Sequence, residues 1–524
     1  MFTFTDLLHQ VTFYAACVLT VYCTVLCAYR AFLHPLKDYP GPPLARLTDA
    51  YAGFHALLMH LHLTTWEDHQ RYGRVIRQGP NKLVFNSVEA LRGKLAKSRV
   101  YRTTLHASTS ENLWSTIDKR LHRSKRKKIG AVLSDRAMRH FEPAILREID
   151  IFLGEILSSC RAPGVRLVDM THQLKYLTLD IIGRLAFGHA IKAQTAPKNR
   201  FLSKGIVVAN YHFNVLMQFP FLAQPWIVYL LHRLTARQQQ KNMDSLRKII
   251  QRRKVQGKAA EYDLYHVLTK DADTEDGKDV QLGELWTEAL MFYVAGGETS
   301  ATTLSALFFY LSRNPDCYHR LATEIRSTFT TGADIRGGPQ LAGCQYLNAC
   351  ISEALRIAPP APGTLWRELP FDDTKDNGPL IIDGHVVSPG TQVGVCTYAI
   401  HHNEEYFPEP FMFRPERWMK DNAATRSHEA FVPFSLGSRS CAGKTLAYQE
   451  IGITLAKTLW YFDFEKPSGT PGDVGGGKSG SLGGRGRPNE FQLYDIFAST
   501  HEGPMLFFRT RGDFYKELQT VTNY

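Results

Sequence analysis

The run from Glu284 to Arg313 limits the possible folds of this chain more than any other segment. It is long and mostly apolar, with almost no polar face outside its middle. A helix that is apolar around its whole circumference cannot lie on a surface, so other elements must wrap it. Asn314-Pro315 ends it, because proline cannot continue a helix. The wrapping is available. Apolar residues recur at three- and four-residue steps over Phe141 to Ser159 and Thr171 to Phe187. Further helices are expected over Tyr346 to Ile357 and Gly443 to Trp460. Strand signals are fewer. Leu380 to Val387 carries Asp383-Gly384, a hairpin turn pair. Thr391 to Tyr398 reads as another strand, and Phe491 to Arg509 as a closing strand pair. The expected fold class is mainly α with minor β (α+β). Although 524 residues would by length suggest three or four domains, one large domain over 47–524 is expected.

That domain follows an anchor. Leu7 to Tyr29 contains no Asp, Glu, Lys or Arg. At 1.5 Å per residue, about 20 residues cross a bilayer core, so residues 1–30 read as a single-pass membrane anchor. Arg30, Lys37 and Arg46 follow the apolar stretch and no Lys or Arg precedes it, which places the large domain on the cytoplasmic side. A cleaved signal peptide would need a basic leader and a small-residue cleavage site, and neither is present. Residues 31–46 contain Pro40-Gly41-Pro42-Pro43, a stiff hinge that sets the domain at an angle to the membrane.

Lys plus Arg number 62 against 50 Asp plus Glu, a formal charge of +12. Such a balance serves nucleic acid, an anionic membrane or an acidic protein partner. No nucleic-acid-binding signature is present, so no nucleic-acid partner is expected. The cations are scattered except for Lys119 to Lys128, a candidate face for an acidic electron donor. Nine cysteines show no pairing rhythm and no CxxC, which argues for a reducing compartment and against zinc. Residues 469–488 are glycine-rich. Gly472 to Ser479 matches the phosphate-loop pattern, but the residues after Lys478 cannot build the helix that motif needs, so a flexible loop is expected.

The chemistry centres on Phe434-Ser-Leu-Gly437-Ser-Arg439-Ser-Cys441-Ala-Gly443. A lone cysteine is most often a small buried hydrophobe. Here each neighbour has a physical use around a thiolate holding a flat cofactor. Gly437 and Gly443 let the backbone approach and turn amides toward sulfur. Arg439 suits a carboxylate, and Phe434 can shield the sulfur from water. The segment resembles the haem-binding signature of the cytochrome P-450 superfamily, F-x-x-G-x-R-x-C-x-G, at every fixed position. Glu353-Ala-Leu-Arg356 is similar to the family's E-x-x-R, and Phe413-Arg-Pro-Glu-Arg417-Trp418 to its P-E-R-F/W segment. Ala295-Gly296-Gly297-Glu298-Thr299-Ser300, in the middle of the long apolar helix, is similar to A-G-x-D/E-T-T/S. His34 to Pro42 looks like fungal microsomal members active in secondary metabolism.

The resemblance implies a haem b cofactor (iron protoporphyrin IX) with Cys441 as axial thiolate. It implies a structural triad of Glu353, Arg356 and Arg417. Thr299 would hydrogen-bond dioxygen and Glu298 would help deliver protons, beside a groove opened by Gly296 and Gly297. His122 stands where the family usually has tryptophan. It, Arg126 and Arg367 are expected to hold haem carboxylates together with Arg439. The implied activity is a monooxygenase that inserts one atom of O2 into a lipophilic small molecule such as a terpenoid, polyketide or alkaloid intermediate. Electrons would come from NADPH through a flavoprotein NADPH-cytochrome reductase, with a cytochrome b-type donor as a second candidate, at the endoplasmic reticulum membrane. Substrate-facing segments are expected near Tyr101 to Trp114, Phe201 to Leu231, Phe292 to Gly296, Ala358 to Leu365 and Phe497 to Thr500. Two rivals are a haem-thiolate isomerase or dehydratase that uses no reductase, which would turn over without NADPH, and a non-catalytic haem carrier, which would never consume it.

Overall fold

The computed structural model describes residues 4–92, 96–101, 111–164, 166–230, 282–368, 380–419 and 425–521, with isolated positions between 233 and 266. The helices that matter to the site are α1 (Phe4–Ala28), α2 (Ala50–Leu57), α3 (Leu61–Tyr72), α4 (Lys119–Val132), α5 (Asp135–Arg161), α6 (Met170–Phe187), α7 (Phe201–Gln218), α8 (Leu282–Leu311), α9 (Pro315–Thr328), α10 (Gln345–Ile357) and α11 (Lys444–Tyr461). The strands are β1 (Val75–Gly79), β2 (Lys82–Phe85), β3 (Ala96–Lys97), β4 (Val168–Asp169), β5 (Arg367–Glu368), β6 (Leu380–Ile382), β7 (His385–Val387), β8 (Gln392–Val395), β9 (Phe462–Glu465) and β10 (Met505–Thr510).

The helix α1 continues through a π-helical turn at Tyr29–Leu33, and Phe4–Leu33 is long and apolar enough to cross a membrane, with none of it buried in the protein. Its threonines suit lipid, because each satisfies its own hydroxyl within the helix: Thr12 donates to Leu8 O (2.9 Å), Thr20 to Ala16 O (2.8 Å) and Thr24 to Thr20 O (2.8 Å). The proline-containing segment is stitched to the body. The Arg77 amide donates to Pro40 O at 2.7 Å, and its buried guanidinium donates to Arg30 O and Leu36 O. A Cβ on Gly41 would lie 2.5 Å from Arg77 O, so only glycine fits there.

In the core, α8 is buried on all sides from Ser300 to Leu311, as its all-round apolar pattern requires. Burying Phe308 or Phe309 contributes roughly 1.5–3 kcal/mol each. Paired glycines let α8 approach its neighbours: a Cβ on Gly296 would meet Ile182 of α6 at 2.7 Å, and one on Gly297 would meet Ile206 of α7 at 2.7 Å. These glycines are therefore packing positions for α6 and α7, which corrects the expectation that they open a groove.

Strands β1-β2-β8-β5-β3 form a five-stranded sheet in that order, with β2 and β8 parallel and the other pairs antiparallel. The expected hairpin is β6–β7, with Asp383 and Gly384 both at positive φ. Two strand expectations are narrowed. Only Gln392–Val395 of the 391–398 run is strand, because Thr397–His401 turns helical. In the tail, only β10 is strand; it lies between β4 and β9, and residues 491–504 form a loop with isolated bridges. The glycine-rich segment is also more ordered than expected. Gly477 N donates to Arg487 O (3.0 Å) and Lys478 N to Arg485 O (2.9 Å), while no helix starts at Lys478, so the phosphate-loop pattern has no structural counterpart.

Candidate active site

The loop before α11 is shaped for a sulfur ligand. Ser435 (φ 58°) and Gly437 (φ 73°) both take left-handed conformations, so the chain doubles back and Cys441 N donates to Phe434 O at 2.8 Å. The ring of Phe434 packs 5.5 Å from that of Tyr448 on α11. Cys441 is accessible, yet burial pushes its thiol pKa up; the Gly443 amide, Arg126 and Lys444 pull in the opposite direction. A side chain that is accessible and also surrounded by protein lies on the wall of an enclosed space.

α8 shows the same signature. In the half of α8 before the fully buried run, Ala295 is exposed and Thr299, one turn on, is half-buried. Thr299 Oγ1 donates to Ala295 O at 2.8 Å. Glu298 points elsewhere. It is fully buried and its Oε2 lies 2.9 Å from Lys175 Nζ on α6. Burial raises the Glu298 pKa, against the lowering pull of Lys175. Lys175 also donates to Thr500 Oγ1 at 2.8 Å. No local pattern marks Lys175, because its partners lie more than a hundred positions away.

Cations gather around the Cys441 loop. On α4, His122, Lys125, Arg126 and Ile129 turn inward at i, i+3, i+4 and i+7, while Lys119, Arg120, Arg123, Lys127 and Lys128 stay exposed. Arg126 donates to Ser440 O (2.6 Å) and Cys441 O (3.4 Å). Arg439 donates to Thr116 O and Ile117 O. Burial, then Arg439, Arg126, Lys97 and Arg367, push the His122 pKa down to about 4, so it is neutral at pH 7. Arg439 is lowered to about 10, by burial first and Arg367 second. Lys97, on β3, joins these cations without any local sequence signal. It is buried, its Nζ sits 3.7 Å from the Trp114 ring centroid, and burial followed by Arg439 and Arg367 drives its pKa well down. Lys97, Arg126, Arg367 and Arg439, with neutral His122 among them, thus form a cationic group that repels itself. A dicarboxylate beside an accessible sulfur satisfies this arrangement, and haem with its two propionates has that chemistry.

Behind the loop, the structure brings Glu353, Arg356 and Arg417 together. Glu353 Oε1 accepts from Arg356 Nη2 (2.8 Å), Arg417 Nε (3.0 Å) and Arg414 N (3.0 Å); Oε2 accepts from Arg356 Nε (2.9 Å) and Trp418 Nε1 (2.9 Å). Arg356 also donates to His401 O and Pro410 O. All three triad side chains are buried.

Of the expected substrate segments, 102–110 lies outside the described residues. Phe201 to Leu231, Ala358 to Leu365 and Phe497 to Thr500 meet at one small cavity, lined among others by Met217, Leu365 and Phe497. Phe497 packs with Trp114 (5.2 Å) and Phe213 (4.8 Å), and Trp114 carries Lys97, so the cavity adjoins the cationic group.

A sulfur-bearing loop, a propionate-type cation group, an accessible threonine on a buried helix and a Glu-Arg-Arg core define a haem-thiolate oxygenase. The chain belongs to the cytochrome P450 family: the family model for Cytochrome P450 matches residues 61–482. It is 34% identical over 519 residues to cytochrome P450 monooxygenase apf7 of Gibberella fujikuroi (93% of this chain, 96% of that one). It is 34% identical over 510 residues to cytochrome P450 monooxygenase poxM of Penicillium oxalicum (94% and 93%). It is 31% identical over 520 residues to cytochrome P450 monooxygenase AKT7 of Alternaria alternata (94% and 98%). The chain is accordingly a haem monooxygenase, an oxidoreductase, and its apolar N-terminal helix fits a membrane anchor.

Proposed function

We propose that this chain binds haem b through Cys441 and oxygenates a lipophilic secondary-metabolite intermediate, such as a terpenoid, polyketide or alkaloid. We place it in the endoplasmic reticulum membrane with the catalytic domain in the cytoplasm, drawing NADPH electrons through a membrane flavoprotein reductase. The observation that carries the reading is that Cys441, Ala295 and Thr299 are each accessible, together with a group of cations, Lys97, Arg367 and Arg439, whose mutual repulsion adds to burial in lowering the Lys97 pKa.

Bound there, haem supplies the redox chemistry that splits dioxygen, one atom going to substrate and the other to water. The protein's part is positional. Arg126, Arg367, Arg439, Lys97 and the neutral N–H of His122 hold the carboxylates. The Gly443 amide donates toward the Cys441 sulfur and moderates its basicity. Thr299 turns its hydroxyl from Ala295 O toward the accessible side of α8 and holds a proton at Oγ1. Glu298 accepts protons from the interior at its carboxylate and passes them toward Thr299 when Lys175 releases it. The exposed Lys119, Arg120, Arg123, Lys127 and Lys128 lie on the helix whose Arg126 touches the Cys441 loop, so an acidic donor docking there comes close to the sulfur.

Substrate enters from the membrane side. Phe221, Trp226, Tyr229 and Leu230, just beyond α7, and Phe54 on α2 are strongly exposed and apolar. Tyr211 OH donates to Leu57 O, so α2 and α7 share this face, and α7 ends at the cavity. Accessible Thr299 favours this reading over a reductase-free isomerase. The test is turnover of the full-length enzyme with reductase, NADPH and a lipophilic panel. Product formation that depends on NADPH and weakens when Arg123 and Lys127 are both changed to Glu supports the proposal; product formed without NADPH contradicts it.

A further inference from the structure

The cavity at the end of α7 has a mixed wall: Met217, Ala361, Leu365 and Phe497 are apolar, and Asn214, Gln218, Thr364 and Asp495 are polar. Asn214, Gln218 and Asp495 are each at most 2% exposed. Asp495 is fixed in place. Its amide donates to Met59 O (2.8 Å), its Oδ1 accepts from Phe497 N (3.1 Å), and Asn214 Nδ2 donates to Asp495 O (3.1 Å) and Oδ1 (3.3 Å). The Gln218 backbone is also held, since Lys82 Nζ donates to Gln218 O at 2.9 Å. The Gln218 side chain is different: Oε1 is buried and finds no hydrogen-bond partner among the described residues. A buried amide oxygen without a donor costs free energy, and Gln218 lines the cavity together with Met217, Leu365 and Phe497.

We propose that Gln218, with Asn214 and Asp495 behind it, forms a polar subsite that captures a neutral hydrogen-bond-donating group of the substrate, a hydroxyl or an amide N–H, at the end remote from the oxidised carbon. Apolar walls take the rest of the molecule. The subsite gives a role to three of the four polar side chains that line the cavity, Thr364 being the fourth. It selects amphiphiles with a donor terminus over pure hydrocarbons and over ethers or esters, which offer only acceptors. This inference rests on the oxygenase reading and makes its substrate class narrower.

The test uses the full-length, haem-loaded enzyme in detergent and two probes of equal chain length, 1-decanol and 1-methoxydecane, titrated by the high-spin shift of the haem absorption band. In the unchanged enzyme the alcohol should bind about tenfold more tightly than the ether, the worth of one hydrogen bond to a buried acceptor. Substitution at Asp495 removes several structural bonds and risks the fold. Gln218→Met removes only the unpaired amide, and it should erase the preference while leaving ether affinity within about twofold. Equal affinities in the unchanged enzyme, an alcohol that gives no high-spin shift, or a preference that survives Gln218→Met would each overturn the proposal. The reduced carbon-monoxide spectrum of the same preparation reports separately on the haem-thiolate reading, so failure of one is not mistaken for failure of the other.

Discussion

Replacing Glu353 by Gln should remove a large share of the stability of the domain. The Glu353 carboxylate accepts five hydrogen bonds, two of them on Oε2. A glutamine whose carbonyl stands in for Oε1 loses both Oε2 bonds and turns an NH2 toward Arg356 Nε and Trp418 Nε1, which are themselves donors. It also leaves Arg356 and Arg417, both buried, without a counter-charge. Removing one partner of a buried pair costs about 3–5 kcal/mol, against a total of roughly 5–15 kcal/mol for a domain. A loss of 3 kcal/mol raises the unfolded fraction roughly a hundredfold. The assay is urea unfolding of the full-length holoprotein, followed by haem absorption and tryptophan fluorescence, with the midpoint expected to fall sharply. The pH dependence has a fixed sign. Burial alone would raise the Glu353 pKa, but Arg356 and Arg417 override it and hold it below the ordinary value. The triad's contribution is therefore full above the ordinary glutamate pKa and is lost as pH falls through the lowered one. An unchanged urea midpoint in Glu353→Gln would refute the reasoning.

Other outcomes follow from single contacts. Thr299→Ala should leave thermal stability within about 1 kcal/mol, since the hydroxyl bonds only its own helix. The same variant should divert NADPH electrons to peroxide; a product yield per NADPH equal to that of the unchanged enzyme would argue against a proton role at Thr299. Lys97→Met should raise the melting temperature of the haem-free protein, by removing a buried cation beside Arg367 and Arg439, and should speed haem loss from the holoprotein. Haem loss no faster than in the unchanged protein would show that Lys97 does not face a carboxylate. Deleting residues 4–33 should keep the haem spectrum and weaken membrane sedimentation, with residual binding from the exposed Trp226 and Tyr229 face; unchanged sedimentation would remove the anchoring role.

The parts of the site visible in the sequence are those fixed by short spacing. The Cys441 loop is local, and Glu353 and Arg356 share a face of α10 because they are three residues apart. α8 announces its burial through its own composition. What was hidden depends on partners distant in the chain. Lys175 reaches Glu298 across two packed helices, and Lys97 enters the cation group only because β3 pairs with β5 at Arg367. Gly296 and Gly297 were misread for the same reason: their partners Ile182 and Ile206 lie on α6 and α7, where no local pattern points. The tail was read as two strands because residues 491–504 are rich in strand-forming side chains, yet their backbone groups bond to Pro360, Met59 and Gly475 rather than to one neighbouring strand.

Absorption spectroscopy of the reduced, carbon-monoxide-treated full-length protein addresses the sulfur–iron bond without intermediaries. The unchanged protein should show the strongly red-shifted band of a thiolate-ligated haem, and Cys441→Ser should lose it. A band typical of histidine ligation in the unchanged protein, or a thiolate band that persists in Cys441→Ser, would contradict the assignment of Cys441.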